Sequence, residues 1–305
     1  MLITVFTPTY NRAHLLPRLY ESLCRQTFRD FEWVIVDDGS TDDTESVVNS
    51  QFIMHNSQFP VRYFYQENGG KHRAINRGVR EARGVLFFIA DSDDWLPDDA
   101  LEIVMKQYEE IKDNDSFAGV AGFDAFPNGK KIGHGNVCFD TLDCSEVDFR
   151  CKYRIAGDMK EVFRTKVLKE FPFPEIEGEK FCPEELQLVR ISNKYIFRYF
   201  SQVIYIAEYQ PNGLSAKLRK LRMDNPISAV MNYAENNEFD VPFRQKIRNS
   251  INYWRFRFCI LSSKRCEIKK LPKLSKIWNI CMPLGFVLHV YDRRVITKNE
   301  SKTIY

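Results

Sequence analysis

Val85-Leu86-Phe87-Phe88-Ile89-Ala90-Asp91-Ser92-Asp93-Asp94 sets an unbroken apolar run directly against a cluster of acids. A short apolar segment ended by turn chemistry reads as a strand buried on both faces, the kind that parallel sheets use. Working outward, residues 2–7, 31–36 and 61–65 have the same strand-like form. The first is followed by Pro8-Thr9-Tyr10-Asn11-Arg12, the second by Asp37-Asp38-Gly39-Ser40-Thr41, and the third by the break Gly69-Gly70. Between the strands, apolar residues recur at helical spacing. Leu16, Leu19, Tyr20 and Leu23 form one such stripe, with Pro17 tolerable because it falls in the first turn. Ala74, Ile75, Gly78, Val79 and Ala82 form a second, and Leu101, Val104, Met105, Tyr108 and Ile111 a third. Asp42 with Glu45 three residues later has the spacing of a helix-starting capping box.

Repeated strand–helix units with short loops predict an α/β fold: a Rossmann-like, mostly parallel sheet with helices on both faces. The polar clusters at 7–12, 37–42 and 91–94 each follow a strand. They therefore gather at the carboxyl edge of the sheet, where open α/β folds bind ligands. The middle of the chain is less regular, with one strand expected over 119–126 and a long strand or hairpin over 195–207. After residue 216 the pattern turns helical, aromatic and basic. The expected organisation is 1–112 as one half of the α/β domain, 113–215 as the other, and 216–305 as a helical basic extension.

The chain has 305 residues, 44% of them hydrophobic and 28% charged, enough for a sizeable core and unlike a disordered polypeptide. Its charge of +3 conceals an asymmetry. Between 244 and 305 there are fifteen Lys/Arg against three acids, a net of +12, so the first 243 residues carry −9. A basic tail on an acidic body suggests an anionic partner; lipid is favoured over nucleic acid because the body itself is acidic. The interleaved Trp254, Phe256, Phe258, Trp278 and Phe286 leave two readings open, an amphipathic surface lying on lipid or a helical cap that uses these rings as its own core. The eight cysteines, at 24, 138, 144, 151, 182, 259, 266 and 281, show no C-x-x-C spacing, which argues against structural zinc and for reduced, cytoplasmic thiols. Met1 runs into a strand without a basic n-region or cleavage site, so no signal peptide is expected. The apolar stretch 277–291 is broken by Asn279, Pro283 and His289, and is too short to span a membrane.

Asp91-Ser92-Asp93 carries the sharpest chemistry. In extended backbone, residues two apart point to the same side, so both carboxylates can face one cation. Oxygen-only ligands suit Mg²⁺ or Mn²⁺, which often bind through few carboxylates plus substrate phosphates. The competing reading is a turn whose aspartates cap the next helix. Asp38, on the same edge, can accept a hydrogen bond from a base N–H or can close an Asx-turn beside Gly39. Tyr10 can stack on a base or simply pack. Arg12, Lys71 and Arg73 can meet phosphates or remain solvated cations. The loop after the first strand has no glycine fingerprint and the chain no G-x-x-x-x-G-K-[ST] loop, which disfavours dinucleotide oxidoreductases and P-loop NTPases. A sugar-nucleotide pyrophosphorylase would likewise need a glycine-rich loop there.

Together the stretches Thr7-Pro8-Thr9-Tyr10-Asn11-Arg12, Asp37-Asp38-Gly39-Ser40-Thr41-Asp42, Asn68-Gly69-Gly70-Lys71, Asn76-Arg77-Gly78 and Asp91-Ser92-Asp93-Asp94 resemble family 2 of the inverting glycosyltransferases with the GT-A fold, in that family's order and spacing over residues 2–111. The resemblance implies transfer of a sugar from a nucleotide-diphosphate donor, with UDP expected, to a hydroxyl of an acceptor glycan, with Mn²⁺ or Mg²⁺ as cofactor. It implies Asp38 on the base with Tyr10 beside it, Asp93 as main metal ligand, and Asp91 near the ribose or the metal. Pro8, Thr9, Asn11, Arg12, Gly70, Lys71 and Ser92 complete the implied donor site. A weaker resemblance to capsule and cell-surface polysaccharide transferases runs through Gly157-Asp158, Glu177-Gly178-Glu179-Lys180-Phe181 and Pro183-Glu184-Glu185. There an acidic pair supplies the catalytic base, here Glu185 with Glu184 as understudy and Asp158 next. A first-turn acidic pair that only starts a helix is the competing reading. The implied acceptor is a growing surface glycan, lipid-linked, at the inner face of a membrane. A catalytically silent glycan-binding scaffold is the alternative from another class.

Overall fold

The computed structural model describes residues 1–54, 58–133, 139–208, 214–260 and 271–302. Cys138 and Cys266 lie outside the described residues; the other six cysteines are free thiols. By its internal contacts the chain divides into two units, 1–173 with 191–210, and 174–190 with 211–305.

The first unit is built on an eight-stranded sheet. Its strands are β1 (Ile3–Thr9), β2 (Phe31–Asp37), β3 (Val61–Tyr65), β4 (Leu86–Ile89), β5 (Phe117–Ala125), β6 (Thr141–Cys144), β7 (Met159–Arg164) and β8 (Ile196–Ile206), ordered β3-β2-β1-β4-β7-β5-β8-β6. The four strands legible as apolar runs lie together and are all parallel. β7 is antiparallel to both its neighbours, β4 and β5, while β8 runs parallel to β5. The sheet is therefore mixed, with its parallel half at the amino-terminal end of the chain.

Alternation along the strands sends consecutive side chains to opposite faces. Val5, Trp33 and Phe88 pack with Leu19 and Leu23 of α1 (Leu16–Cys24) and with Leu101 and Val104 of α4 (Ala100–Glu109). Phe6 faces the other way, stacks on Phe87 at 5.0 Å and meets α3 (Lys71–Glu81). A Cβ on Gly78 of that helix would lie 2.1 Å from the Phe6 ring, so only glycine lets the helix come this close. Helices thus cover both faces. Two polar pairs are built into this core: Thr4 Oγ1 donates to Glu32 at 2.8 Å, and Trp33 Nε1 to Thr7 Oγ1 at 2.9 Å. The short helices α2 (Thr44–Val47), α5 (Glu146–Cys151) and α6 (Thr165–Glu170) complete the unit.

The second unit is helical. It contains most of α7 (Glu184–Ser192), with α8 (Leu214–Asp224), α9 (Pro226–Asn236), α10 (Phe243–Arg257) and α11 (Met282–Lys302). Its core joins Ile227, Val230 and Tyr233 of α9 to Tyr253 and Phe256 of α10. Phe256 stacks on Tyr233 at 5.8 Å and is buried, so this ring belongs to the core of the helical unit rather than to a surface.

Candidate active site

Two loops at the carboxyl edge are tied together by backbone and side-chain bonds. β1 runs two residues further than its apolar run, because Pro8 and Thr9 stay in register with Val36 and Asp37. Both are buried, and the Thr9 carbonyl accepts the Asp38 N–H at 2.8 Å. Asn11 turns left-handed, with φ of 53°; its Oδ1 accepts the Thr41 N–H at 2.8 Å, and its own N–H donates to Ser40 Oγ at 2.8 Å. Asn tolerates that conformation better than most side chains. Asp42 joins the same lattice, accepting from Ala13 N–H at 3.1 Å and from Thr44. These bonds outweigh the partial burial that disfavours its charge, and hold its carboxyl below the usual range. Tyr10 is left 48% exposed, open to a planar ligand.

The turn contact that the sequence leaves open for Asp38 falls to its neighbour. Asp37 makes the turn contact, accepting Ser40 N–H at 2.7 Å and the Tyr63 hydroxyl at 2.7 Å. Asp38 is 4% exposed and accepts from Gln66 Nε2 (2.8 Å), Asn68 Nδ2 (3.2 Å), Gly69 N–H (2.9 Å) and Gly70 N–H (2.7 Å). A carboxylate offers about four lone-pair sites. Asp38 therefore organises the 66–70 loop, and a base N–H would have to share or displace one of these donors. Gly39 and Gly70 have φ of 87° and 97°, the region glycine enters freely, and Gly70 leads into α3 with Lys71.

Asp91-Ser92-Asp93-Asp94 follows β4 on the same edge. The Asp91 N–H donates to the Tyr205 hydroxyl at 2.7 Å, which anchors the loop to β8. Arg18 holds its far side, donating to the Asp93 carbonyl, pairing with Glu208 at 2.6 Å and stacking on Trp95. Ser92 and Asp94 are buried, while the side chains of Asp91 and Asp93 keep 28% and 22% exposure. Each meets a cation: Lys71 Nζ lies 2.7 Å from Asp91, and Arg12 lies 3.3 Å from Asp93. Burial works against the charge of Asp91, but Lys71 and Lys160 outweigh it and hold the carboxyl below its ordinary value. Asp94 is pushed the other way, to about 6, by burial and by Asp91.

Two further groups at this edge were not flagged in the sequence: Lys160 lies on β7, a strand that no pattern announced, and Asp124 on β5, the strand expected over 119–126. Lys160 of β7 places its ammonium 3.6 Å from the centre of the Tyr205 ring and contributes to the charge balance of Asp91, Asp94 and Asp124. Asp124 of β5 is buried, and burial raises its carboxyl to about 7. A lone Lys in a charged strand segment and a lone Asp in an apolar one carry no local signal of this meeting.

The donor set fits a hard divalent cation. Asp91 and Asp93 are oxygen-only, partly exposed and two residues apart, and Lys71 and Arg12 already show that positive charge sits well beside them. No group of three or more His, Cys, Asp or Glu arranged for a metal occurs among the described residues. Protein ligation would thus rest on one or two carboxylates, with phosphate oxygens supplying more, a common arrangement for Mg²⁺.

The first unit therefore brings together Tyr10, Asn11, Arg12, Asp38, Gly70, Lys71, Asp91, Ser92 and Asp93. Glu184 and Glu185 belong to the second unit, at the first turn of α7. Glu185 is 61% exposed and is held by Asn232 Nδ2 at 3.0 Å and Arg222 at 3.4 Å. The segment before it is firmly seated. Glu179, 2% exposed, accepts the Ile227 and Ser228 N–H groups at 2.6 and 2.9 Å and so caps α9, a carboxylate at a helix N-terminus. Asn225 Oδ1 accepts the Lys180 and Phe181 N–H groups, and Arg190 pairs with both oxygens of Glu235 at 2.8 Å.

Comparison with known proteins gives a family match and a fold match. The model described as glycosyl transferase family 2 matches residues 4–156, half of the chain. Glycosyltransferase GlyG of Streptococcus pneumoniae is 37% identical over 119 residues, which are 39% of this chain and 38% of that protein. The GalNAc(5)-diNAcBac-PP-undecaprenol beta-1,3-glucosyltransferase of Campylobacter jejuni is 30% identical over 57% of this chain and 55% of its own. The chain thus spans less than two thirds of the length of these curated relatives. Among solved structures, residues 1–349 of TarS from S. aureus superpose with a TM-score of 0.62 at 18% identity, covering 99% of this chain and 92% of that one. That fragment has also been solved with UDP-GlcNAc. At this identity the likeness shows a shared fold, the GT-A-like arrangement of sheet and helices.

Proposed function

The chain belongs to glycosyl transferase family 2, and from that premise we propose that it transfers a sugar, with inversion, from a UDP-sugar to a hydroxyl of an acceptor glycan. The observation that carries the reading is the pairing of Lys71 with Asp91 and of Arg12 with Asp93 at one sheet edge, beside the exposed ring of Tyr10. Two half-exposed cations and two half-exposed carboxylates form a surface that a diphosphate and its counter-cation can enter with little net change of charge. The TarS complex with UDP-GlcNAc supports a UDP-sugar on this fold.

In this reading Tyr10 stacks on the base, and Asp38 holds the 66–70 loop around it and accepts from the base N–H. Arg12 and Lys71 turn from their carboxylates to the phosphates. Asp93, with Asp91 beside it, would hold Mn²⁺ or Mg²⁺, whose charge offsets that building on the diphosphate as its bond to the sugar breaks. Glu185 takes the proton of the acceptor hydroxyl as its oxygen attacks the anomeric carbon, with Glu184 as understudy. Asn232 and Arg222 fix the direction of the Glu185 carboxylate. The acceptor is a growing surface glycan, and the polyprenyl diphosphate in the name of the C. jejuni relative supports a lipid-linked one at the inner face of a membrane.

A thermal-shift panel of UDP-, GDP-, CDP- and dTDP-sugars with Mn²⁺ tests the donor. A shift with UDP-sugars above the others is expected. A preference for another nucleotide would overturn the UDP assignment, and no shift with any would favour a silent scaffold.

A further inference from the structure

α11 is built inside out. At 100° per residue, Gly285, His289 and Asp292 share the side that packs on α10. A Cβ on Gly285 would lie 2.5 Å from Trp254 Cβ and 2.9 Å from the Ile251 carbonyl, so the two backbones touch at this glycine. Asp292 is fully buried and paired through both oxygens with Arg255, and His289 Nδ1 lies 3.3 Å from Cys259 Sγ. His289 and Asp292 thus lie on the inner face of the helix, which is fixed by backbone contact and a buried ion pair. The outer face carries Leu284, Val287 and Tyr291, exposed by 50%, 59% and 58%. The turn just before the helix adds Ile277 and Ile280, exposed by 73% and 81%. A helix facing water ordinarily shows the reverse pattern, and a contiguous exposed apolar patch marks a surface that something covers.

Charge decides what covers it. Between 267 and 302 the sequence has eight Lys/Arg and three acids, Glu267, Asp292 and Glu300, of which Asp292 is buried and already paired. Lys273, Lys276, Arg293 and Arg294 are exposed around the apolar stripe. A second copy of this face would bring like charges together, whereas an anionic bilayer offers an apolar interior beneath a negative surface. None of the helices among the described residues is long and apolar enough to cross a membrane, which leaves a contact lying in the interface. We propose that the outer face of α11, with Ile277 and Ile280, docks the protein on an anionic lipid surface. The inference deepens the reading of a lipid-linked acceptor but rests on this face alone, and donor binding does not depend on it.

Flotation of the full chain with phosphatidylglycerol-containing vesicles and with pure phosphatidylcholine vesicles, at low and high salt, tests it. Binding to the anionic vesicles alone is expected, falling as salt rises. The double variant Ile280→Ser, Leu284→Ser should lose at least about tenfold in partitioning. Its melting temperature and UDP affinity should match those of the parent, which separates a failure here from a failure of the transferase reading. Absence of flotation, or flotation untouched by the double variant, would overturn the proposal. So would a dimer that the same variant dissolves, which gives the face to a second copy, or a lowered melting temperature, which gives it to the chain's own core.

Discussion

Replacing Asp38 with Ala removes one carboxylate on which four groups converge, the Gly69 and Gly70 N–H groups at 2.9 and 2.7 Å and the Gln66 and Asn68 amides, of which Asn68 keeps its bond to the residue-38 carbonyl at 2.9 Å. The two side-chain amides can turn to water. The two backbone groups cannot, although their half-buried position lets solvent recover part of the loss. The expected destabilisation is about 2–3 kcal/mol, or roughly 4–12 °C for a domain of about 200 residues. If Asp38 also accepts from the base, UDP affinity falls by a further charged hydrogen bond, about 1.5–3 kcal/mol, or roughly 10–150-fold in Kd. Gln66→Ala separates the roles, because it vacates one acceptor site on Asp38 without touching the carboxylate. It should keep or tighten UDP binding if the base uses Asp38, and weaken it if the loop is all that matters. Differential scanning fluorimetry and titration calorimetry read the two effects. Asp38→Ala with the parent's melting temperature and the parent's Kd would refute the reasoning outright.

Glu185→Gln should lower kcat by about 10²–10⁴-fold with donor affinity nearly unchanged; a dead Glu184→Gln beside an active Glu185→Gln would swap the two, and full activity in both would move the base to Asp158. Glu161 lies near Arg150, whose Nε is already taken by Glu146 at 3.1 Å, and burial pushes the Glu161 carboxyl up to about 8 from its ordinary 4.5. The folded chain then keeps a proton that the unfolded chain releases, so stability falls as pH rises from 4.5 towards 8, by up to about 1.36 kcal/mol per unit. Glu161→Gln should therefore raise the urea midpoint, relative to the parent, more at pH 8 than at pH 4.5; an equal difference at both would show that Glu161 ionises normally. Gly285→Ala should cost about 1–3 kcal/mol despite alanine's better helix propensity, because the new methyl meets backbone. An unchanged melting temperature would mean that α10 and α11 pack less closely than described.

Local patterns carried the parallel half of the sheet and the loops at its carboxyl edge. The apolar runs of β1 to β4, each closed by polar turn residues, mark both the strands and the edge where their loops meet. The spacing of Asp91 and Asp93 marked both carboxylates, but Ser92 and Asp93 form a turn closed by the Asp94 N–H on the Asp91 carbonyl at 3.2 Å rather than extended backbone, and each carboxylate meets its own cation. The rest depends on partners distant in sequence. β7, Met159–Arg164, mixes charges with apolar residues and enters antiparallel between β4 and β5, a pairing that no periodicity announces. Lys160 reaches the site only through that pairing, whereas Asp124 lies near the end of β5, paired also with β8. Asp38 reads as a turn residue or a base ligand, but its bonds to Gln66, Asn68, Gly69 and Gly70 span 28 to 32 residues of sequence. In the tail, composition gave the aromatic and basic character but not its sidedness. Phe256 went into the core, Phe258 and Phe286 stayed 36% and 51% exposed, and Ile277, Ile280, Leu284, Val287 and Tyr291 add to the exposed apolar surface.

Release of UDP from UDP-sugars in the presence of Mn²⁺, compared between the parent and Asp93→Asn, bears most directly on the central claim that the β1, β2 and β4 loops form a metal-assisted donor site. The parent should release UDP, excess EDTA should stop it, and Asp93→Asn should remove it while melting as the parent does. Release that persists in EDTA, or an Asp93→Asn variant with the parent's turnover, would contradict the account.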